Sequence, residues 1–178
     1  TYEYQSQFFP FAVAWDSGSD KTLPPVLAGW AKRNPDMKKV VQFLEMYGCW
    51  PGMAEAHVMG LESVGVETIE IEVPADAVTF SSIVVRALAQ KPDGFVLTCT
   101  SEKAAKIIIE LEKYGWEDKS KIIVFSSADD MPLYTTGKER LNGIYVYSYL
   151  DSQMETERWE SFKEAYKEAH GGLDPVSL

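Results

Sequence analysis

The sequence predicts an α/β fold, a three-layer αβα sandwich built on a five-stranded, mainly parallel sheet with flavodoxin-like strand order. Three observations lead there. Short β-branched and apolar runs recur along the chain, and each is followed by a stretch with helical spacing. Several of these runs are apolar almost throughout, as strands covered on both faces must be. The stretches between them are long enough to be helices, which parallel neighbours need in order to return the chain to the same end of the sheet.

The elements follow in order. SGSDKTLPPVLAGWAKRN reads as a helix with Pro24 and Pro25 in its first turn, where a missing N–H costs little. Lys38 to Leu44, KKVVQFL, reads as the first strand, entered from the turn RNPDM. It exits into EMYGCWPG, where Pro51 suits the first turn of a helix carrying Met53, Ala56, Gly60, Leu61 and Val64 and ending at Gly65. VETIEIEVP alternates Val66, Thr68 or Ile69, Ile71 and Val73 with acids, the pattern of a strand with one wetter face or at a sheet edge. Asp76 is placed as the cap of the next helix, in which Phe80, Ile83, Val84, Ala87 and Leu88 form one apolar stripe.

A Pro92-Asp93-Gly94 turn opens the third strand, 94–98, and the helix after it puts Ala104, Ile107, Ile108 and Leu111 on one face before closing at Tyr114-Gly115. KIIVFSS is the fourth strand, and NGIYVYSYL, entered through Asn142-Gly143, is the fifth. A last helix over 153–169 sets Phe162, Ala165, Tyr166 and Ala169 on one side and ends at Gly171-Gly172.

With 178 residues and 46% hydrophobic content the chain can bury one sizeable core, and residues 1–178 are expected to form a single domain. A formal charge of -10 argues against a nucleic-acid partner, which would need clustered Lys and Arg. No apolar run approaches the roughly 20 residues of a membrane span. TYEYQSQFFPFAVAW has neither a basic head nor a small-residue cleavage site, so the chain is expected to be either not secreted or already processed. Two cysteines, Cys49 and Cys99, cannot build a disulfide framework, although neighbouring first and third strands would bring them near each other.

The strands end in polar residues. Met46 to Trp50, Thr98 to Ser101 and Ser126 to Asp130 all follow strands, so they share the edge where open parallel sheets take ligands. The plainer reading is that hydroxyls after a strand cap the next helix, and Ser101 fits that role. Trp50, in a loop beside Pro51, is a candidate to stack on a ligand.

The common enzyme signatures of this fold are missing: no glycine fingerprint or P-loop follows the first strand, and no Gly-x-Ser-x-Gly elbow occurs. A phospho-receiver would carry Asp where this chain has Thr98 and Cys99. His57 and His170 sit on separate helices, and His57 has no His or Cys at i+4, so no metal or other cofactor is expected. The thiols lack an evident base to activate them and are expected to be buried and inert.

In this order the segments resemble the second lobe of type 1 periplasmic binding proteins, especially the branched-chain amino-acid-binding group of ABC transporters. The resemblance is carried by Thr79-Phe80-Ser81-Ser82 at a helix start, Lys91-Pro92-Asp93 at a strand entry, Tyr114-Gly115 at a helix end, and LNGIYVYSYL followed by Phe162, Ala165, Tyr166 and Gly171. It implies one lobe of a two-lobed receptor, beginning near where the family first crosses into this lobe and stopping near where it crosses back.

Its implied partners are the missing N-terminal lobe, a small-molecule solute clamped between the lobes, and a membrane permease, in a periplasmic or extracytoplasmic setting without catalysis. By position, the family's contacts fall on Tyr47, Cys49 and Trp50, on Cys99, Thr100 and Ser101, and on Ser126, Ser127 and Asp129. Amino-acid-binding members often present an acid after the fourth strand; here Ser126 and Ser127 come first and Asp129 slightly later. The competing readings are the sensing lobe of a transcription regulator or receptor, and a flavodoxin-like enzyme using Cys99 or Cys49 as nucleophile.

Overall fold

Strand β1, Lys39–Glu45, is buried along nearly its whole length because it is paired on both sides. The computed structural model describes residues 23–46, 50–125, 131–147 and 155–172. The chain divides into two compact units, Thr1–Tyr147 and Ser148–Leu178. In the first, α1 (Leu23–Arg33) precedes β1, and then come α2 (Trp50–Glu62), β2 (Glu67–Val73), α3 (Ser81–Leu88), β3 (Gly94–Thr98), α4 (Ser101–Lys113), β4 (Ile122–Val124), α5 (Met131–Gly137) and β5 (Tyr145–Val146). In the second unit, α6 spans Glu157–Ala169.

The sheet order is β2-β1-β3-β4-β5 and every pair is parallel, which is the flavodoxin-like order expected. β2 sits at the edge, and its alternation follows: Ile71 and Val73 are buried, whereas Glu67, Glu70 and Glu72 are exposed. Register puts Val40, Gln42, Val96 and Ile123 on one face of the sheet. There Val40, Val96 and Ile123 join Leu27, Trp30, Met37 and Leu61 in one core cluster, under α1 and α2. On the opposite face Phe43 stacks on Phe95 at 5.6 Å, and Trp116 meets the Phe95 ring edge-on at 4.7 Å. Burying side chains of this size contributes about 2 kcal/mol each.

Two glycines serve the packing of α2. At Gly60 an added Cβ would lie 2.4 Å from the Pro24 carbonyl oxygen, so only glycine lets α1 and α2 approach this closely. Gly65 adopts φ +80° just past the helix, the left-handed position that reverses the chain into β2.

Several expectations are corrected. α3 begins at Ser81 with Phe80 at its N-cap, so Asp76 lies five residues upstream in the connection and caps nothing there. Thr100, not Ser101, holds the N-cap of α4. α5 and the 3-10 turn Lys138–Leu141 were not foreseen, because that stretch lacks an apolar stripe. β5 has two residues, and positions 148–150 of its expected span lie outside the described residues. α6 starts at Glu157, where Thr156 Oγ1 accepts the Trp159 amide, and none of its residues is buried.

Candidate functional site

The chain leaves β1 by way of α2 to reach β2 on one side, then crosses to β3 on the other, so the topological switch point lies between β1 and β3. Their carboxyl ends bring Glu45 and Thr100 together. Glu45 Oε2 accepts the Thr100 amide at 3.0 Å and the Thr100 hydroxyl at 3.1 Å. The other carboxylate oxygen pairs with the ammonium of Lys103, one turn into α4. Lys103 also donates to the carbonyls of Pro74 at 3.2 Å and Ala75 at 2.7 Å, in the connection after β2. Both side chains are nearly enclosed, with 6% of Glu45 and 13% of Lys103 exposed. A carboxylate this enclosed is tolerated because every oxygen is paired.

A second polar network lies inside the sheet's other face. Gln42 Nε2 donates to Glu70 Oε1 at 3.0 Å and to the Ala54 carbonyl at 3.4 Å, which turns its Oε1 toward His57. His57 Nδ1 stands 3.2 Å from that Oε1 and 3.2 Å from Thr98 Oγ1. Since Gln42 Oε1 can only accept, the proton sits on Nδ1. His57 is 1% exposed, and burial pushes its pKa down to about 4, so the ring is neutral. Its ring lies against Phe125, 5.3 Å between centroids, and both line a small apolar pocket with Leu27, Val96, Ile123 and Tyr147, where there is room for about one water molecule.

The residues expected at the site divide as follows. Trp50 is the first residue of α2 rather than part of a loop, and it is 9% exposed. Cys99 is wholly buried; burial, with the Glu45 charge adding to it, drives the thiol's pKa well above the ordinary range. A thiolate nucleophile at Cys99 is therefore unavailable. Ser101 is buried as well, while Thr100 is exposed but has both its donors on Glu45. Tyr47, Cys49, Ser126, Ser127 and Asp129 lie outside the described residues.

Sequence reasoning missed Glu45, Lys103, Gln42 and His57. The available signal was a Glu and a Gln inside an otherwise apolar strand. Among the described residues no group of His, Cys, Asp and Glu is arranged to hold a metal ion.

Of the described stretches that follow β1 to β4, 74–80 carries Asp76, while Met46, 99–100 and Phe125 carry no charge; the Lys103 ammonium at this edge is paired with Glu45. Lys38 and Lys39 at the start of β1, Lys91 before β3, and Lys119 and Lys121 before β4 stand at the opposite edge.

A family model described as periplasmic binding protein matches residues 4–178. No curated protein matches the chain. Among solved structures, a leucine binding protein from Thermotoga maritima is 21% identical with a TM-score of 0.73, the match covering 88% of this chain and 44% of that one. A putative branched-chain amino acid ABC transporter from Rhodospirillum rubrum is 16% identical with a TM-score of 0.74, covering 89% and 45%. A fatty acid ABC transporter substrate-binding protein from Thermomonospora curvata is 16% identical with a TM-score of 0.67, covering 84% and 40%. At such identities the likeness is one of fold, and the chain spans less than half the length of each of the three.

Proposed function

This chain belongs to the periplasmic binding protein family, and from that membership we propose that residues 1–178 are one lobe of an extracytoplasmic receptor that delivers a small polar solute to the permease of an ABC transporter. The solute is an amino acid or a similar small carboxylate, held at the carboxyl edge of the sheet while a second, amino-terminal lobe closes over it by a hinge. The observation that carries the reading is the switch point between β1 and β3, where the polar ends of the two strands meet on the edge at which open parallel sheets take ligands.

The Lys103 ammonium at this edge is already held by Glu45 and by the Pro74 and Ala75 carbonyls, which supports a division of labour. The solute's carboxylate is taken by the other lobe, and its neutral or cationic part faces this one. The reading asks for no catalysis, and the buried Cys99 thiol is in keeping with that.

The test is thermal unfolding of the intact two-lobed protein against a panel of amino acids and small carboxylates. A ligand at about 100 times its Kd adds roughly 2.7 kcal/mol, which moves Tm by several degrees. A shift confined to one chemical class supports the proposal and names the class; no shift from any member of the panel overturns it.

A further inference from the structure

The donors at the switch point are all taken by the chain itself. An ammonium has three N–H groups, and those of Lys103 meet three acceptors: the Glu45 carboxylate and the carbonyls of Pro74 and Ala75. Thr100 has one amide and one hydroxyl proton, and both go to Glu45 Oε2. One nearly enclosed ion pair thus joins the end of β1, the connection after β2 and the start of α4.

We propose that Glu45 and Lys103 are the positioning residues of the binding edge: they set the connections after β2 and β3 in place before a solute arrives, and they withdraw Thr100's donors from solute recognition. The inference rests on the solute-binding reading above, but its first test does not need a solute. Thr100, expected from its position to touch the ligand, becomes part of the frame. A polar group of the solute that reaches the end of β3 then finds no donor on Thr100 or Lys103.

Hydrogen–deuterium exchange on the full chain, comparing Glu45→Gln and Lys103→Met with the native protein, reads this frame directly. Each variant is expected to speed exchange on the order of tenfold at Thr100 and across 74–80, a change of about 1.4 kcal/mol in local opening, while the interior amides of β1 and β3 keep their protection. A change at only one of the two connections, or one spread through the strands, overturns the proposal. Should Lys103→Met fail to fold, Lys103→Arg decides instead. It keeps the charge and the donors, and native exchange at both connections is expected; faster exchange there counts against the frame.

L-Leucine titrated into the intact protein supplies a readout that a merely structural pair would not move. Glu45→Gln is expected to weaken binding about tenfold and Lys103→Arg to stay within about twofold of native, the first factor again corresponding to about 1.4 kcal/mol. Native affinity in Glu45→Gln overturns the positioning role. Failure of the native protein to bind leucine counts against that solute, and the exchange result then decides on the frame.

Discussion

Asp93 and Lys39 are bonded to each other in both directions: the Asp93 amide donates to the Lys39 carbonyl at 2.7 Å, and Asp93 Oδ2 accepts the Lys39 amide at 2.9 Å. The same Oδ2 accepts the Lys38 amide at 2.8 Å. The turn before β3 therefore caps the amino end of β1, satisfying two backbone donors where the ladder begins. Asp93→Ala is expected to cost about 2 kcal/mol, the range for hydrogen bonds to a charged group. Urea unfolding checks this, and an unchanged midpoint would show that water replaces the carboxylate without loss.

His57 sets a pH dependence of stability. Its pKa is lowered from 6.5 to about 4 by burial. The unfolded chain therefore takes up the proton first as pH falls, and stability is complete above the unfolded value. It is lost between about pH 6.5 and pH 4, by up to about 3 kcal/mol. Unfolding midpoints measured across that window should fall with pH in the native protein, and the slope there should flatten in His57→Gln. Equal slopes in the two proteins would assign the acid sensitivity to the carboxylates.

Two glycine substitutions should act in opposite senses. Gly60→Ala gains helix propensity, but its Cβ meets the Pro24 backbone at 2.4 Å, and forcing the helices apart costs about 1–3 kcal/mol. Gly29→Ala, in the interior of α1 with nothing within 4 Å of the added carbon, should stabilise by roughly 0.5–1 kcal/mol. Thermal unfolding of both variants tests the α1–α2 contact, which is wrong if Gly60→Ala is as stable as Gly29→Ala.

Cys99 should resist alkylation. Its thiol is buried and its ionisation is suppressed, so iodoacetamide at mild alkaline pH should leave the Cys99 peptide unmodified in native protein and modify it after unfolding. Rapid labelling of the native protein would restore the cysteine-nucleophile reading.

The architecture was legible because it rests on apolar periodicity. β3 occupies 94–98 as the sequence implies, β2 is the edge strand that its alternating acids announce, and the α4 stripe of Ala104, Ile107, Ile108 and Leu111 is fully buried. The polar interior was not legible. Gln42 and Glu45 are buried and Lys103 half-buried because each finds partners distant in sequence, Glu45 with Thr100 and Lys103, Gln42 with His57 and Glu70. A pattern of apolar spacing carries no information about such partners. Thr100 shows the limit most clearly: its place at the end of β3 was readable, but the carboxylate that already holds it comes from 55 residues away.

The edge strand has a consequence for behaviour in a crowded compartment. Among the described residues β2 pairs only with β1, so its outer row of N–H and C=O groups is a template on which another sheet could grow. Glu67, Glu70 and Glu72 line that strand. Two copies meeting edge to edge would bring the acidic side chains of the two strands together, and that repulsion guards against filament growth.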